Sequence, residues 1–450
     1  MKKLISLILA IIMIVSVLCF SSLSTSALSS GDYWYEVLSD GTARITAYKG
    51  TSSYVYIPST IGGYTVTRIG NSAFSKNNNV LYIEVPNSVE IIHDKAFYMC
   101  EQLRNVSIPD SVTYIGTDAF YYCINLRGVK LGNSVETIKD CAFQDCKLLE
   151  DITLPDSLTE IGVCAFTGCE SLTEITIPEK ITTIPYRAFL WCYKLSKVNL
   201  PENLVTIEDG AFSSCPIKEI VIPDKVETIG EGVFNHNKTL ESITLGSSVN
   251  YIGEWAFSQC ANLKTIILPD SLKTLDNLAF NGCTGLESIT LNNGLESIGE
   301  NAFQNCQSLK EITIPESVKL INPRAFYYCD ALENVTILNP LCHIEPSETN
   351  LVEENTVLYG YESSTTKTYA KKQNVTFSSL GEYEGVKKGD VNLDGEVTIM
   401  DATMIQRKTA DIITLDELQS HNADTSGGFF VNVMDATLIQ RFLAKYESEL

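Results

Sequence analysis

Phenylalanine recurs through the middle of this chain at a fixed interval. Phe74, Phe97, Phe120, Phe143, Phe166, Phe189 and Phe212 are each 23 residues apart. Phe234 follows after 22, and Phe257, Phe280, Phe303 and Phe326 resume the step of 23. The short step has a visible cause: one residue, Pro216, separates Cys215 from Ile217 where the other repeats have two. Ile, or once Leu275, stands five residues before each Phe, and Ala, or once Val233, directly before it. Aliphatics follow at six, nine and eleven residues, as in Leu172, Ile175 and Ile177, and then usually Pro, as in Pro178.

A fixed period of this length means a solenoid, because one such unit cannot bury its apolar face alone. The alternation Ile175-Thr176-Ile177 predicts a strand. The stretch around Ala165-Phe166 suits a single helical turn, and Pro178 ends the strand because it cannot donate to a ladder. Stacked at strand spacing, twelve rungs give a curved rod about 55 Å long. Its ends need caps. Asp32 to Val66, with its tyrosines and the Asp40-Gly41 turn, can seal the first rung, and Leu338 to Leu380 the last.

These columns resemble the BspA-type bacterial leucine-rich repeats. The string Ile161-Gly162-Val163-Cys164-Ala165-Phe166, followed by Cys169 and Leu172, carries the likeness, which covers about residues 32–380. The resemblance implies an α/β repeat solenoid with a parallel sheet on one face, a secreted or surface recognition scaffold, and no common catalytic activity.

Fourteen cysteines would suggest disulfides, but ten of them form a column. Cys100, Cys123, Cys146, Cys169, Cys192, Cys215, Cys260, Cys283, Cys306 and Cys329 recur with the repeat, and Asn77 and Asn237 take the same place in two rungs. A position that accepts Cys or Asn satisfies backbone groups in a turn. Cys141 and Cys164 differ, lying two residues before Phe in a column shared with Lys95, Asp118, Arg187 and Trp255. Neighbouring rungs could bring that pair within disulfide reach; two free thiols are the other reading.

Ten residues after Phe, the outward strand position holds Thr153, Thr176, Thr244, Thr290, Thr313 and Thr336, with Glu84, Lys130, Asn199 and Ile267 among the exceptions. β-propensity alone accounts for a threonine ladder, though a flat polar strip could also dock a glycan or a protein. Trp191, Trp255 and the pairs Tyr121-Tyr122 and Tyr327-Tyr328 could stack on sugars or simply cover the core. His93, His236, His343 and His421 are scattered, and no carboxylate pair has a catalytic signature. The expectation is therefore a non-enzyme, with a hydrolase hidden in the repeats as the alternative. The formal charge of −22 makes duplex nucleic acid and anionic membranes poor partners.

The last sixty or so residues hold one calcium-loop pattern twice. Ile399 to Arg407 recurs as Val433 to Arg441, offset by 34. Calcium takes six to eight hard oxygens in a tight loop. The first copy offers Asp390, Asn392 and Asp394 at positions 1, 3 and 5, Gly395 for the turn, and the Glu396 carbonyl at 7. Thr398 stands at 9 and Asp401 at 12. The second copy keeps Asp424, Ser426, Asn432 and Asp435, but has Gly428 and Phe429 at positions 5 and 6, so it offers an ion two carboxylates where the first offers three. The pair resembles a type I dockerin over about residues 389–450, a small all-α module with two calcium loops. That resemblance implies Ca2+ as cofactor, a cohesin of a cellulosome-like scaffoldin as partner, and cohesin contacts at Ile399, Met400, Gln406, Arg407, Val433, Met434, Gln440 and Arg441. An ordinary calcium-sensor pair fits poorly, since position 12 is Asp rather than Glu.

Lys2-Lys3, the apolar run Leu4 to Phe20 and Thr25-Ser26-Ala27 read as a secretion signal. An uncleaved segment anchoring a surface adhesin is the rival. The division expected is a signal over 1–27, a cap over 28–66, twelve repeats over 67–337, a second cap over 338–380, a linker over 381–388 and the docking module over 389–450.

Overall fold

The structure is a computed structural model that describes residues 27–347, 350–383 and 397–409, with positions 436, 439 and 440. The signal segment and the calcium-loop residues Asp390, Asn392, Asp394, Glu396, Asp424, Ser426, Asn432 and Asp435 lie outside the described residues, as do Val433, Met434 and Arg441. Among the described residues no helix is long and apolar enough to cross a membrane.

The repeats coil into a solenoid of about 15 turns. Each rung contributes two short strands, as in Glu174–Thr176 and Thr183–Ile184. Both pair in parallel with neighbouring rungs, so Ile175 faces Val198 and Ile184 faces Ile207, and the first ladder runs in segments that break after Asp151–Ile152, Lys197–Asn199, Ser242–Thr244 and Ser288–Thr290. The parallel sheet is as expected. The strand through the residue five before Phe forms a second ladder that the period alone did not disclose. That ladder breaks between Ile161 and Ile184. In most other rungs the residue after this Ile donates its N–H back one rung, Gly162 to Ile138 and Glu208 to Ile184. Pro185 has no N–H to donate to Ile161, so the pairing stops there.

The third side corrects the single helical turn expected around Phe. Ala165 and Phe166 lie in a run of turns, not a helix. Two residues before Phe and two after it, the backbone enters the left-handed region in rung after rung: Lys95 and Met99 at φ 58° and 55°, Arg187 and Trp191 at 53° and 62°. This alternation aims N–H groups alternately within and between rungs. Lys95, Phe97 and Met99 donate to the Thr117, Ala119 and Tyr121 carbonyls of the next rung, while Ala96, Tyr98 and Cys100 donate within their own. The turns thus form a third hydrogen-bonded ladder, and buried backbone groups are satisfied there without a helix.

Inside, all twelve phenylalanines are fully buried and stack face to face. Most successive ring centroids lie 4.9 to 5.6 Å apart, as for Phe97–Phe120 and Phe280–Phe303. The widest spacing, 6.1 Å, is Phe212–Phe234, at the 22-residue step. Tyr48 extends the column at its start, 5.1 Å from Phe74, carried on a strand, Ala43–Tyr48, that pairs antiparallel with Tyr33–Val37. At the far end the strands Val357–Gly360 and Thr376–Ser379 continue the first ladder. Helix α1 (Thr365–Gln373), capped by Ser364, buries Thr366, Tyr369 and Ala370 beside them.

Candidate functional site

The ten column cysteines point inward, and each thiol donates to the Phe carbonyl of the preceding rung. Cys169 Sγ lies 3.3 Å from Phe143 O, and Cys329 Sγ 3.0 Å from Phe303 O. Asn237 repeats the bond with its amide, 2.8 Å from Phe212 O. Burial pushes the thiols of Cys123, Cys146, Cys169, Cys192, Cys260 and Cys306 up, and those of Cys100 and Cys283 to about 12, so they are inert neutral donors. Cys141 and Cys164 are half-buried free thiols on the turn ladder. Cys141 donates to the Cys164 sulfur, which holds Cys164 down and Cys141 up.

The first ladder presents its polar face to solvent. Thr153, Thr176, Thr244, Thr290 and Thr313 are exposed and Thr336 is half-buried. Ion pairs cross neighbouring rungs, as Lys197 with Glu174 at 3.3 Å and Lys264 with Glu287 at 3.0 Å. At the N-terminal end the threonines give way to aromatics. Tyr54 and Tyr82 stack at 4.6 Å and Tyr56 is 69% exposed. Of the aromatics singled out from sequence, Tyr327 and Tyr328 lie 3.9 Å apart and Tyr121 stacks on Tyr98 at 5.1 Å. Trp191 and Trp255 line one groove on the turn side. Sequence reasoning missed that groove, because its floor is marked only by two glycines.

At the C-terminus, helix α2 (Ile399–Thr409) carries the first copy of the duplicated stretch. Thr398 caps it: its Oγ1 accepts from the Met400 N–H at 3.2 Å. Asp401 reaches back, its Oδ2 accepting from the Thr398 N–H at 2.7 Å and from Thr398 Oγ1 at 3.1 Å. This is a reciprocal capping box, Thr-x-x-Asp. The capping was not read from the sequence, although its spacing was there to find.

Inward, Ala402 and Ile405 bury against Ala436 and Ile439, their equivalents 34 residues on, with Val397 and Met404 at the edge. Outward, Ile399 and Met400 are 56% and 59% exposed, and Gln406 and Arg407 are exposed about two turns along. Ile399 and Gln406, and likewise Met400 and Arg407, are seven residues apart and so share a face. Gln440, their described counterpart in the second copy, is half-buried.

Calcium fits the part of the first loop that the structure describes. Asp401 is wholly buried and holds its carboxylate beside the Thr398 hydroxyl, so only hard oxygen donors meet there. The Thr398 N–H and hydroxyl already compensate that buried carboxylate, and a divalent cation would be met there by oxygen ligands of the kind it prefers.

Two family models match the chain. The BspA type leucine rich repeat region matches in six copies, over residues 50–148, 113–241 and 227–348. The dockerin type I domain matches residues 388–444. Among solved structures, a leucine-rich repeat protein from Bacteroides ovatus ATCC 8483 is 27% identical with a TM-score of 0.62, covering 78% of this chain and 99% of its own. A leucine rich cell surface protein from Faecalibacterium prausnitzii A2-165 is also 27% identical, over 84% and 100%, with a TM-score of 0.48. No curated protein matches. Neither family model describes an enzyme; dockerin domains bind cohesins, and those of type I are generally calcium-binding. The chain belongs to the BspA-type leucine-rich repeat proteins and carries a C-terminal type I dockerin domain.

Proposed function

We propose that this is a secreted, non-catalytic component of a cellulosome-like, polysaccharide-degrading complex. Its dockerin plugs into a cohesin of a scaffoldin, and its repeats present a recognition surface for a glycan, a cell surface or another protein. The observation that carries the docking half is the exposed Ile399-Met400 and Gln406-Arg407 face of α2 on a helix whose inner face is buried. Exposed apolar side chains set on a rigid element are what a partner interface needs.

In this reading Asp390, Asn392, Asp394, Glu396, Thr398 and Asp401 hold one Ca2+, and Asp424, Ser426, Asn432 and Asp435 a second. Ile399, Met400, Gln406 and Arg407, with Val433, Met434, Gln440 and Arg441, meet the cohesin. The division into signal (1–27), caps (28–66 and 338–380), repeats (67–337), linker (381–388) and dockerin (389–450) belongs to the same proposal. Titration of the full chain against a panel of cohesins tests it. Binding to at least one of them supports the reading, and no binding to any in millimolar Ca2+ contradicts it.

A further inference from the structure

We propose that the groove between Trp191 and Trp255 binds a short segment of a neutral polysaccharide. The inference rests on the reading of the repeats as a recognition surface, and it gives that surface a place and a ligand.

The groove arises from a local break in the repeat. In the left-handed column two residues before Phe, most rungs carry a side chain, such as Cys164, Arg187, Trp255, Leu278 or Arg324. Two consecutive rungs carry none: Gly210 and Gly232. Several further departures fall on the same two rungs. They are the deletion at Pro216, Val233 in place of Ala, Asn237 in place of Cys, and the widest ring spacing. The outcome is a gap two rungs wide, about 390 Å³. That is the lower part of the size range of small-molecule sites.

Its walls suit a sugar. Trp191 and Trp255, two of the three tryptophans in the chain, are 49% and 37% exposed along it. Arg187 is held against the Tyr186 ring, its guanidinium carbon 4.7 Å from the centroid. Asp209 and Glu231 line the groove between the tryptophans and offer carboxylate acceptors. Asn235, which also lines it, keeps a buried Oδ1 with no hydrogen-bond partner among the described residues. Flat apolar rings flanked by polar groups match the faces and hydroxyls of a pyranose. The formal charge of −22 and the two carboxylates disfavour an anionic polymer. A peptide would gain little, because the backbone here is already spent: the Gly210 and Gly232 N–H groups donate to Glu231 and Glu254 of the next rungs. No open edge is left for strand addition.

The test is affinity electrophoresis of the full chain in gels containing xyloglucan, mixed-linkage β-glucan, β-mannan or arabinoxylan, with uncharged dextran as the blank. Two variants probe the groove. One is Trp191→Ala with Trp255→Ala. The other is Gly232→Arg, which fills the gap with a residue the same column already accepts at Arg324; a Cβ at Gly232 meets nothing nearer than 3.6 Å. Trp34→Ala, an exposed aromatic on the strand Tyr33–Val37 and far from the groove in the sequence of rungs, is the control. We expect retardation of the wild type by at least one of these glycans, a loss of tenfold or more in both groove variants, and none in the control. Binding by the wild type that survives both variants overturns the groove and leaves glycan recognition by the repeats standing. No retardation of the wild type by any of these polymers overturns the groove and removes neutral plant glycans from the reading, while cohesin docking is judged by its own titration. Thermal melting of each variant confirms that a loss of binding is not a loss of fold.

Discussion

Phe189 sits between Phe166 and Phe212 with ring centroids 5.4 and 5.5 Å away, and it is fully buried. Removing it opens a cavity that neighbours on both sides cannot fill, so Phe189→Ala should cost about 3–5 kcal/mol in urea unfolding. Thr176, on the exposed strand position, has no such role, and Thr176→Ala should cost under about 1 kcal/mol. Equal losses would contradict the assignment of inner and outer faces. The cysteines divide in the same way. Native protein treated with iodoacetamide should be alkylated at Cys141 and Cys164 before any of the ten column cysteines, as read by peptide mass spectrometry. Early adducts on Cys169 or Cys192 would contradict their burial. The inward and outward columns were legible because apolar identity repeats rung after rung. The left-handed positions were not, because residues as unlike as Lys95, Cys141 and Trp255 occupy one column and side-chain type carries no trace of φ.

Among the elements, the strand alternation of Ile175 to Ile177 was readable from period two, whereas the second ladder was not. Its strands are as short as Thr183–Ile184 and leave no alternation to see. The turn ladder was misread as a helical turn because Ala-Phe suits either, and tertiary pairing between rungs decides it. Helix α2 shows the converse: its register followed from the duplication, and its cap supplies a test. Thr398→Ala removes the Oγ1 acceptor for Met400 N–H and should destabilise the helix by about 1 kcal/mol. Circular dichroism of the full chain across a denaturant series would show whether the C-terminal transition moves.

At the start of the solenoid, burial first, and then the Arg44 and Arg68 guanidiniums, hold His93 below the usual imidazole range. The unfolded chain then binds more protons than the folded one as pH drops below about 6.5. That contribution to stability is full above this window and is lost as pH falls through it. Tm should accordingly fall further between pH 7.5 and 5.5 in the wild type than in His93→Gln. An equal fall in both would show that His93 is not the group responsible.

At the scale of the molecule, stability in a stacked array is close to a sum of nearest-neighbour interfaces. A lesion at Phe189 is therefore felt mainly by the rungs beside it. The dockerin is a separate matter, with its own small core of Ala402, Ile405, Ala436 and Ile439. Because equivalent residues of the two copies meet there, the duplicated faces are expected to be related by a pseudo-twofold. Each could engage a cohesin, one at a time. Met400→Asp with Arg407→Asp should weaken binding only slightly, as should the same changes at Met434 and Arg441, and all four together should abolish it. A double mutant as damaged as the quadruple would mean that only one face is used.

The most direct test of the account is cohesin binding by the full chain, measured by calorimetry in millimolar Ca2+ and again in excess EGTA, beside wild type and Asp390→Ala. In the calcium-loop reading proposed above, the carboxylates of Asp390, Asp394 and Asp401 converge only when a cation offsets their repulsion. We predict one-to-one binding in Ca2+, its loss in EGTA, strong weakening by Asp390→Ala, and an unchanged melting transition of the repeats throughout. Cohesin affinity that is the same with and without Ca2+ would contradict the account.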